Sequence, residues 1–255
     1  KAQRSSLEKD LLDYLVAGGF PEAQGLNQRD RNELLRGYVD VALLRDVIER
    51  HAVSHPVALR WMVRQLLGNA AGSFSVNKFH GDLKSQGIPI AKDTLHSYLG
   101  YLEDAFLVRM VSMATDSERR RMVNPRKVYP IDPGLIPLFD RSGKSNRGHA
   151  LETCMMLELD RRGAEVGYVH TAGGFEVDFL ARYPEGKEEL IQVCASLDDP
   201  ATREREIRAL LEAARQHPRA SLHLISLDIP AAFDIPRDIT VHAAWDWLLQ
   251  GNVHA

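Results

Sequence analysis

Residues 147–196 constrain this chain more than any other stretch. Arg147-Gly148-His149-Ala150-Leu151-Glu152 opens a helical segment, and two β-rich runs follow, Glu176-Val177-Asp178-Phe179-Leu180 and Glu189-Leu190-Ile191-Gln192-Val193-Cys194. In the first run Asp178 alternates with Val177 and Phe179; in the second Gln192 and Cys194 alternate with Ile191 and Val193. A period of two puts each polar residue on one face with its i±2 neighbours. If the two strands are adjacent, Asp178 and Gln192 lie side by side.

The pattern continues as a helix over 200–216 and a strand over 220–227, an αβββαβ order. With an acidic residue on one strand and a polar-x-polar pair on the next, residues 147–250 resemble the restriction-endonuclease-like fold of the PD-(D/E)xK superfamily. The resemblance places Glu152 on the first-helix glutamate, Asp178 on the metal-binding aspartate, and Gln192 and Cys194 on the acidic residue and the lysine. The last two depart from the pattern. A glutamine offers Mg²⁺ a neutral carbonyl in place of a charged carboxylate. A cysteine brings no cation to hold water or offset developing phosphate charge. Arg203 or Arg205 is a candidate replacement charge, although Arg203-Glu204-Arg205-Glu206 has the plain reading of a solvated helix face. The expected site is a degenerate nuclease motif of Glu152, Asp178, Gln192 and Cys194, with weak Mg²⁺ binding by Glu152, Asp178 and Gln192 if metal binds at all.

Charge divides unevenly along the chain. Residues 1–146 carry 21 Lys and Arg against 17 Asp and Glu, whereas 147–255 carry 11 against 18. The nuclease-like part is therefore acidic, without the basic footprint that phosphate contacts demand. No apolar run approaches the ~18 residues of a membrane span, so no membrane partner is expected. Two cysteines, Cys154 and Cys194, without a CxxC pair, fit a reducing, cytoplasmic setting. The ten histidines are scattered, and none is assigned to a metal.

Upstream, Leu7, Leu11, Leu12, Leu15 and Val16 recur at helical spacing over 5–17, and Gly18-Gly19-Phe20-Pro21 stops that helix. A second helix over about 28–51 places Leu34, Leu35, Tyr38, Val41, Leu44 and Val47 on one face, and a third starts at Pro56, a favoured first-turn residue. The string Gly18-Gly19-Phe20-Pro21-Glu22-Ala23, then a tyrosine-bearing helix and Leu44-Arg45-Asp46, resembles the segment after the nucleotide-binding core in a family of bacterial and archaeal AAA-type ATPases. There a helical lid, a winged helix and an endonuclease-like domain follow the core. The resemblance makes Gly19, Phe20 and Pro21 a lid turn near adenine; on its own the turn reads equally as a helix terminator. No GxxxxGK[ST] occurs, so ATP enters only with an ATPase core N-terminal to this chain, and the leading Lys1 fits a fragment of something longer.

Residues 69–112 read as helix-turn-helix. Ser75 caps one helix, Gly87-Ile88-Pro89 turns the chain, and 91–106 forms the second with Leu95, Tyr98, Leu99, Leu102 and Phe106 inward. Strands over 107–111 and 127–131 flank a polar wing loop, 116–126, which together look like a winged helix. Its candidate nucleic-acid contacts are Lys92 on the second helix and Arg119, Arg120, Arg121, Arg126 and Lys127 around the wing. Asp132-Pro133-Gly134-Leu135 and the polar stretch 141–147 mark a hinge.

The expected fold is α/β: a helical lid-like bundle over 1–68, a winged helix over 69–146 and an endonuclease-like domain over 147–255. The expected function is a noncatalytic module of an AAA-type ATPase, docking to the core or holding DNA weakly. Two alternatives stand beside it, an active Mg²⁺-dependent DNA nuclease and a scaffold that binds another protein alone.

Overall fold

Helix-breaking chemistry sets the first boundary of the chain. In the computed structural model, which describes residues 2–140, 146–231 and 233–250, helix α1 (Ala2–Ala17) ends at Gly18, whose φ of +77° suits glycine alone. A Cβ there would also collide with the Asp132 carboxylate. The described residues divide into two compact units, one from Asp13–Val111 and Asn124–Asn146, the other from Lys1–Leu12, Ser112–Val123 and Arg147–Ala255. Part of the hinge expected over 141–147 lies outside the described residues.

In the first unit α2 (Gln28–Val41) starts where the Asn27 side chain accepts the Asp30 N–H at 3.0 Å, and it runs into a π-helical segment, Ala42–Glu49. The buried stripe is Leu35, Val39, Leu43 and Val47, while Val41 and Leu44 are exposed. That corrects the expected face. A four-residue spacing drifts by about 40° per step on a regular α-helix; the wider π turn takes up the drift and keeps the stripe on the core.

Helix α3 (Pro56–Leu67), strand β1 (Ser73–Phe74), helices α4 (Val76–Ser85) and α5 (Lys92–Asp104), and strands β2 (Val108–Val111) and β3 (Arg126–Pro130) complete the main body. The strands form an antiparallel sheet in the order β1-β3-β2. Ser75 caps α4 through the Lys78 N–H as expected. Leu59, Met62, Leu66, Leu83, Leu95, Leu102 and Val128 form one core shared by helices and sheet.

The stretch expected as a wing loop takes a different form. Residues Glu118–Val123 form a short helix, α6, in the second unit. Ser117 initiates it by accepting the Arg120 N–H on its hydroxyl, which is ordinary N-cap behaviour for serine. Just upstream, 112–114 runs beside the second unit's sheet: the Tyr168 N–H donates to Ser112 at 3.1 Å and the Ala114 N–H to Tyr168 at 2.7 Å. Back in the first unit, the short helix α7 (Ile136–Phe139) follows Asp132.

The second unit is built on a five-stranded sheet. Helix α8 (Arg147–Arg161) precedes β4 (Glu165–His170), β5 (Glu176–Arg182) and β6 (Glu188–Ser196), paired antiparallel in sequence order. Helix α9 (Pro200–Ala214), capped by Asp199 through the Thr202 N–H at 2.8 Å, crosses over to β7 (Ser221–Asp228), parallel to β6. Strand β8 (Ile239–Ala243) adds a second parallel ladder and leads into α10 (Ala244–Gln250). The molecule is therefore mixed α/β, with ten α-helices and two sheets among the described residues.

Candidate functional site

Strands β5 and β6 pair from Arg182 opposite Glu188 to Phe179 opposite Ile191. Beyond that point side chains complete the pairing. The Asp178 N–H donates to Gln192 Oε1 at 3.2 Å, and the Val193 N–H donates to Asp178 Oδ2 at 3.0 Å. Each side chain therefore satisfies a backbone donor of the opposite strand where the two strands part. Left unpaired in a buried place, such donors cost about 1–3 kcal/mol each. Asp178 and Gln192 are both buried, so the two motif residues are brought together as expected.

The other end of the Gln192 amide makes a contact that an acidic residue could not. Its Nε2 donates to Glu206 Oε2 at 2.7 Å, and Glu206, on α9, is itself buried. A carboxylate at position 192 would accept from Asp178 but could give nothing to Glu206; only an amide does both. The remaining Glu206 oxygen takes the Arg205 guanidinium. The result is a continuous relay from Arg205 through Glu206 and Gln192 to the Asp178 backbone.

Glu206 corrects the expectation for its helix. The stretch 203–206 is not simply solvated, because α9 turns Glu206, Ala209, Leu210 and Ala213 inward and leaves Leu211 exposed. The small Ala209 and Ala213 at four-residue spacing were the available signal. Cys194 stands outside the relay, two residues along β6 from Gln192, donating its Sγ hydrogen to the Ser196 carbonyl at 2.9 Å. Burial pushes its thiol above the ordinary range, with Glu206 and Asp178 adding to the effect against Ser196 and Arg205. It remains a neutral thiol at pH 7. Arg205 is the cation that feels both Cys194 and Asp178.

Glu152 lies half-buried on α8, which packs against β6. Glu206, rather than Glu152, is the carboxylate that holds the Gln192 amide. Among the described residues no group of three His, Cys, Asp or Glu side chains is arranged to hold a metal ion.

In the other unit, the Gly18-Gly19-Phe20-Pro21 turn is tied down by Asp132, a residue that its sequence context marks only as part of a hinge. Asp132 is buried, and its two oxygens accept the Gly19 and Gly134 N–H groups, each at 2.7 Å. Burial pushes the Asp132 carboxyl above its ordinary range, and the two N–H donors only partly offset this. Gly19 and Pro21 are exposed, while Phe20 packs its ring 5.4 Å from that of Tyr38.

The expected nucleic-acid residues divide between the two units. Lys92 is exposed at the start of α5, and Arg126 is half-buried within reach of the Glu103 carboxylate. Lys127 is only 4% exposed on the central strand β3, so it offers phosphate no surface and leaves the set. Arg119, Arg120 and Arg121 belong to the second unit. Arg119 and Arg120 are exposed, whereas Arg121 reaches the Thr115 carbonyl at 3.3 Å and Glu118 at 3.6 Å. A groove of about 1380 Å³ in the first unit sets Arg36, Arg64 and Lys78 against Asp40, Asp82 and Asp140, an even balance that does not favour a polyanion.

The family described as Domain of unknown function (DUF8612) matches residues 8–144. The chain belongs to this family. The match takes in the Gly18–Pro21 turn and its Asp132 anchor and leaves the Asp178–Gln192–Glu206 relay outside. An uncharacterized protein of Methanocaldococcus jannaschii is 33% identical over 218 residues, 84% of this chain and 48% of the relative. An uncharacterized protein of Haemophilus influenzae is 26% identical over 199 residues, 78% of this chain and 49% of the relative. The DUF8612 chain thus spans about half the length of these relatives. No solved structure matches it. No helix among its described residues is long and apolar enough to cross a membrane.

Proposed function

We propose that this chain is a noncatalytic module of an AAA-type ATPase, with a helical lid-like part, a winged helix, and a restriction-endonuclease-like domain whose former metal-binding positions now serve the fold. The observation that carries this reading is the relay at the end of the β5–β6 ladder. Asp178 Oδ2 and both polar atoms of the Gln192 amide are taken up by backbone donors and by Glu206, and Cys194 stands where the resemblance calls for a lysine. Carboxylates already engaged in this way have less to offer Mg²⁺.

The helix-turn-helix of α4 and α5 with the antiparallel β1-β3-β2 sheet supports the winged-helix part of the proposal. The tethered Gly18–Pro21 turn supports the lid part, because a rigid turn is what an adenine-facing contact needs. An ATPase core would occupy the additional length that the relatives carry, and the module would act by docking to that core, with DNA contact weak and electrostatic.

The test is divalent-metal titration by calorimetry together with plasmid cleavage, on the wild type, on Asp178→Ala and on a Gln192→Glu, Cys194→Lys double variant. The wild type is expected to leave the plasmid intact, and the double variant to gain metal affinity. Robust Mg²⁺-dependent cleavage by the wild type that disappears in Asp178→Ala would replace this reading with an active nuclease.

A further inference from the structure

A second polar cluster lies in the α/β unit, away from the relay. Glu189 on β6 is buried, and its carboxylate accepts from the Tyr183 hydroxyl at 2.9 Å and lies 2.6 Å from Lys187 Nζ. His223 on β7 places Nε2 2.9 Å from Ser221 Oγ and 3.7 Å from Glu189. Its Nδ1 stands 2.9 Å from Nε2 of His242 on β8. The groups facing the pair are therefore Glu189 from β6, Tyr183 and Lys187 from the β5–β6 turn, Ser221 from β7 and Asp246 from α10, with Arg162, the residue after α8, behind Tyr183.

We infer that His223 and His242 share one proton and make the seating of α10 dependent on pH. Two ring nitrogens 2.9 Å apart have room for a single hydrogen between them. The neutral pair satisfies this, and so does the singly charged pair, whose charge Glu189 stabilises. A doubly charged pair does not, because each ring then carries hydrogen on both nitrogens and two N–H groups face each other. Uptake of the second proton must separate the two rings, which link β7 to β8 at this point, and His242 lies two residues before α10 begins.

Helix α10 is the element positioned to respond. Arg162 holds it, stacking 3.9 Å from the Trp247 ring and donating to the Trp247 carbonyl at 2.8 Å. Against that, the Trp245 indole N–H is buried without a hydrogen-bond partner among the described residues, a standing cost to the docked helix. Burial depresses both histidines below their ordinary value, with Glu189 opposing the effect at His223 and Asp246 at His242. The folded rings thus bind protons more weakly than unfolded ones. Docking is most stable above the ordinary histidine value and weakens as pH falls through the folded values.

The experiment is hydrogen exchange of the α10 amides on the whole chain between pH 7.5 and 4.5, with rates corrected for intrinsic exchange, in parallel with histidine-resolved NMR titration. The opening equilibrium of α10 is expected to rise by up to about tenfold per pH unit for each proton taken up, and His242→Gln, which keeps a polar partner but cannot titrate, should flatten that rise. A corrected opening equilibrium that is flat in the wild type, or a slope unchanged in His242→Gln, overturns the inference. Should the variant fail to fold, the wild-type titration decides. Coupled rings titrate in two steps separated by more than about one pH unit, and two independent titrations near about 6.5 would remove the shared proton.

Discussion

Gln192→Glu separates a structural relay from a metal site more sharply than any truncation. In the native chain Gln192 Nε2 lies 2.7 Å from Glu206 Oε2 as a donor. The variant puts a second carboxylate oxygen there. Two unit charges at that separation repel by about 6 kcal/mol at an effective dielectric constant of 20. The pair can avoid this by binding a proton, and holding a carboxyl of ordinary value about 4.3 protonated at pH 7 costs about 3.7 kcal/mol. The smaller figure is the ceiling, and the Arg205 guanidinium on Glu206 lowers it somewhat. The shared carboxyl has a raised value in the folded state, so the penalty is absent below about pH 4.3 and grows by about 1.4 kcal/mol per pH unit until the raised value is passed. Urea unfolding of wild type and variant at pH 5, 6 and 7 reads this directly as a widening gap. Millimolar Mg²⁺ should narrow the gap, since the added carboxylate gives the ion a second charged ligand. A difference that stays constant from pH 5 to 7, or no difference at all, would refute the hydrogen bond to Glu206 and the explanation of Gln192 built on it.

Two further predictions concern the other features. Asp132→Ala strips acceptors from the exposed Gly19 and the buried Gly134 N–H groups, so it should destabilise the helical unit by about 1–3 kcal/mol, chiefly through Gly134; hydrogen exchange at those two amides, expected to speed up selectively, is the check. If DNA binds, Arg119→Ala with Arg120→Ala should reduce the log-log salt slope by about 0.9 for each phosphate that is no longer neutralised, whereas Lys127→Ala, on a buried residue, should lower stability and leave the slope per folded molecule unchanged.

Much of the architecture was legible because it rests on local chemistry. Alternation around Asp178 and Gln192 identified two strands and placed both polar residues on one face. The helical spacing from 200 and the Ser75 cap located helices, and the Gly18-Gly19-Phe20-Pro21 break ended α1 where a positive φ requires glycine. Those signals lie within a few residues of what they specify.

What only the tertiary structure decided depends on partners far apart in sequence. Asp132 is recognisable as an anchor only when Gly19, 113 residues earlier, is seen to donate to it. Gln192 reads as a lost ligand until Glu206 arrives from α9 and makes an amide the residue that serves both neighbours. Lys127 counts as a surface cation until β1 and β2 close over it on either side. Likewise His223 and His242, 19 residues apart, become a pair only through the β7–β8 ladder. In each case sequence supplies the hydrogen-bonding capacity of a side chain, whereas burial and the choice of partner are set by how distant segments pack, and these determine whether that capacity holds the fold or meets a ligand.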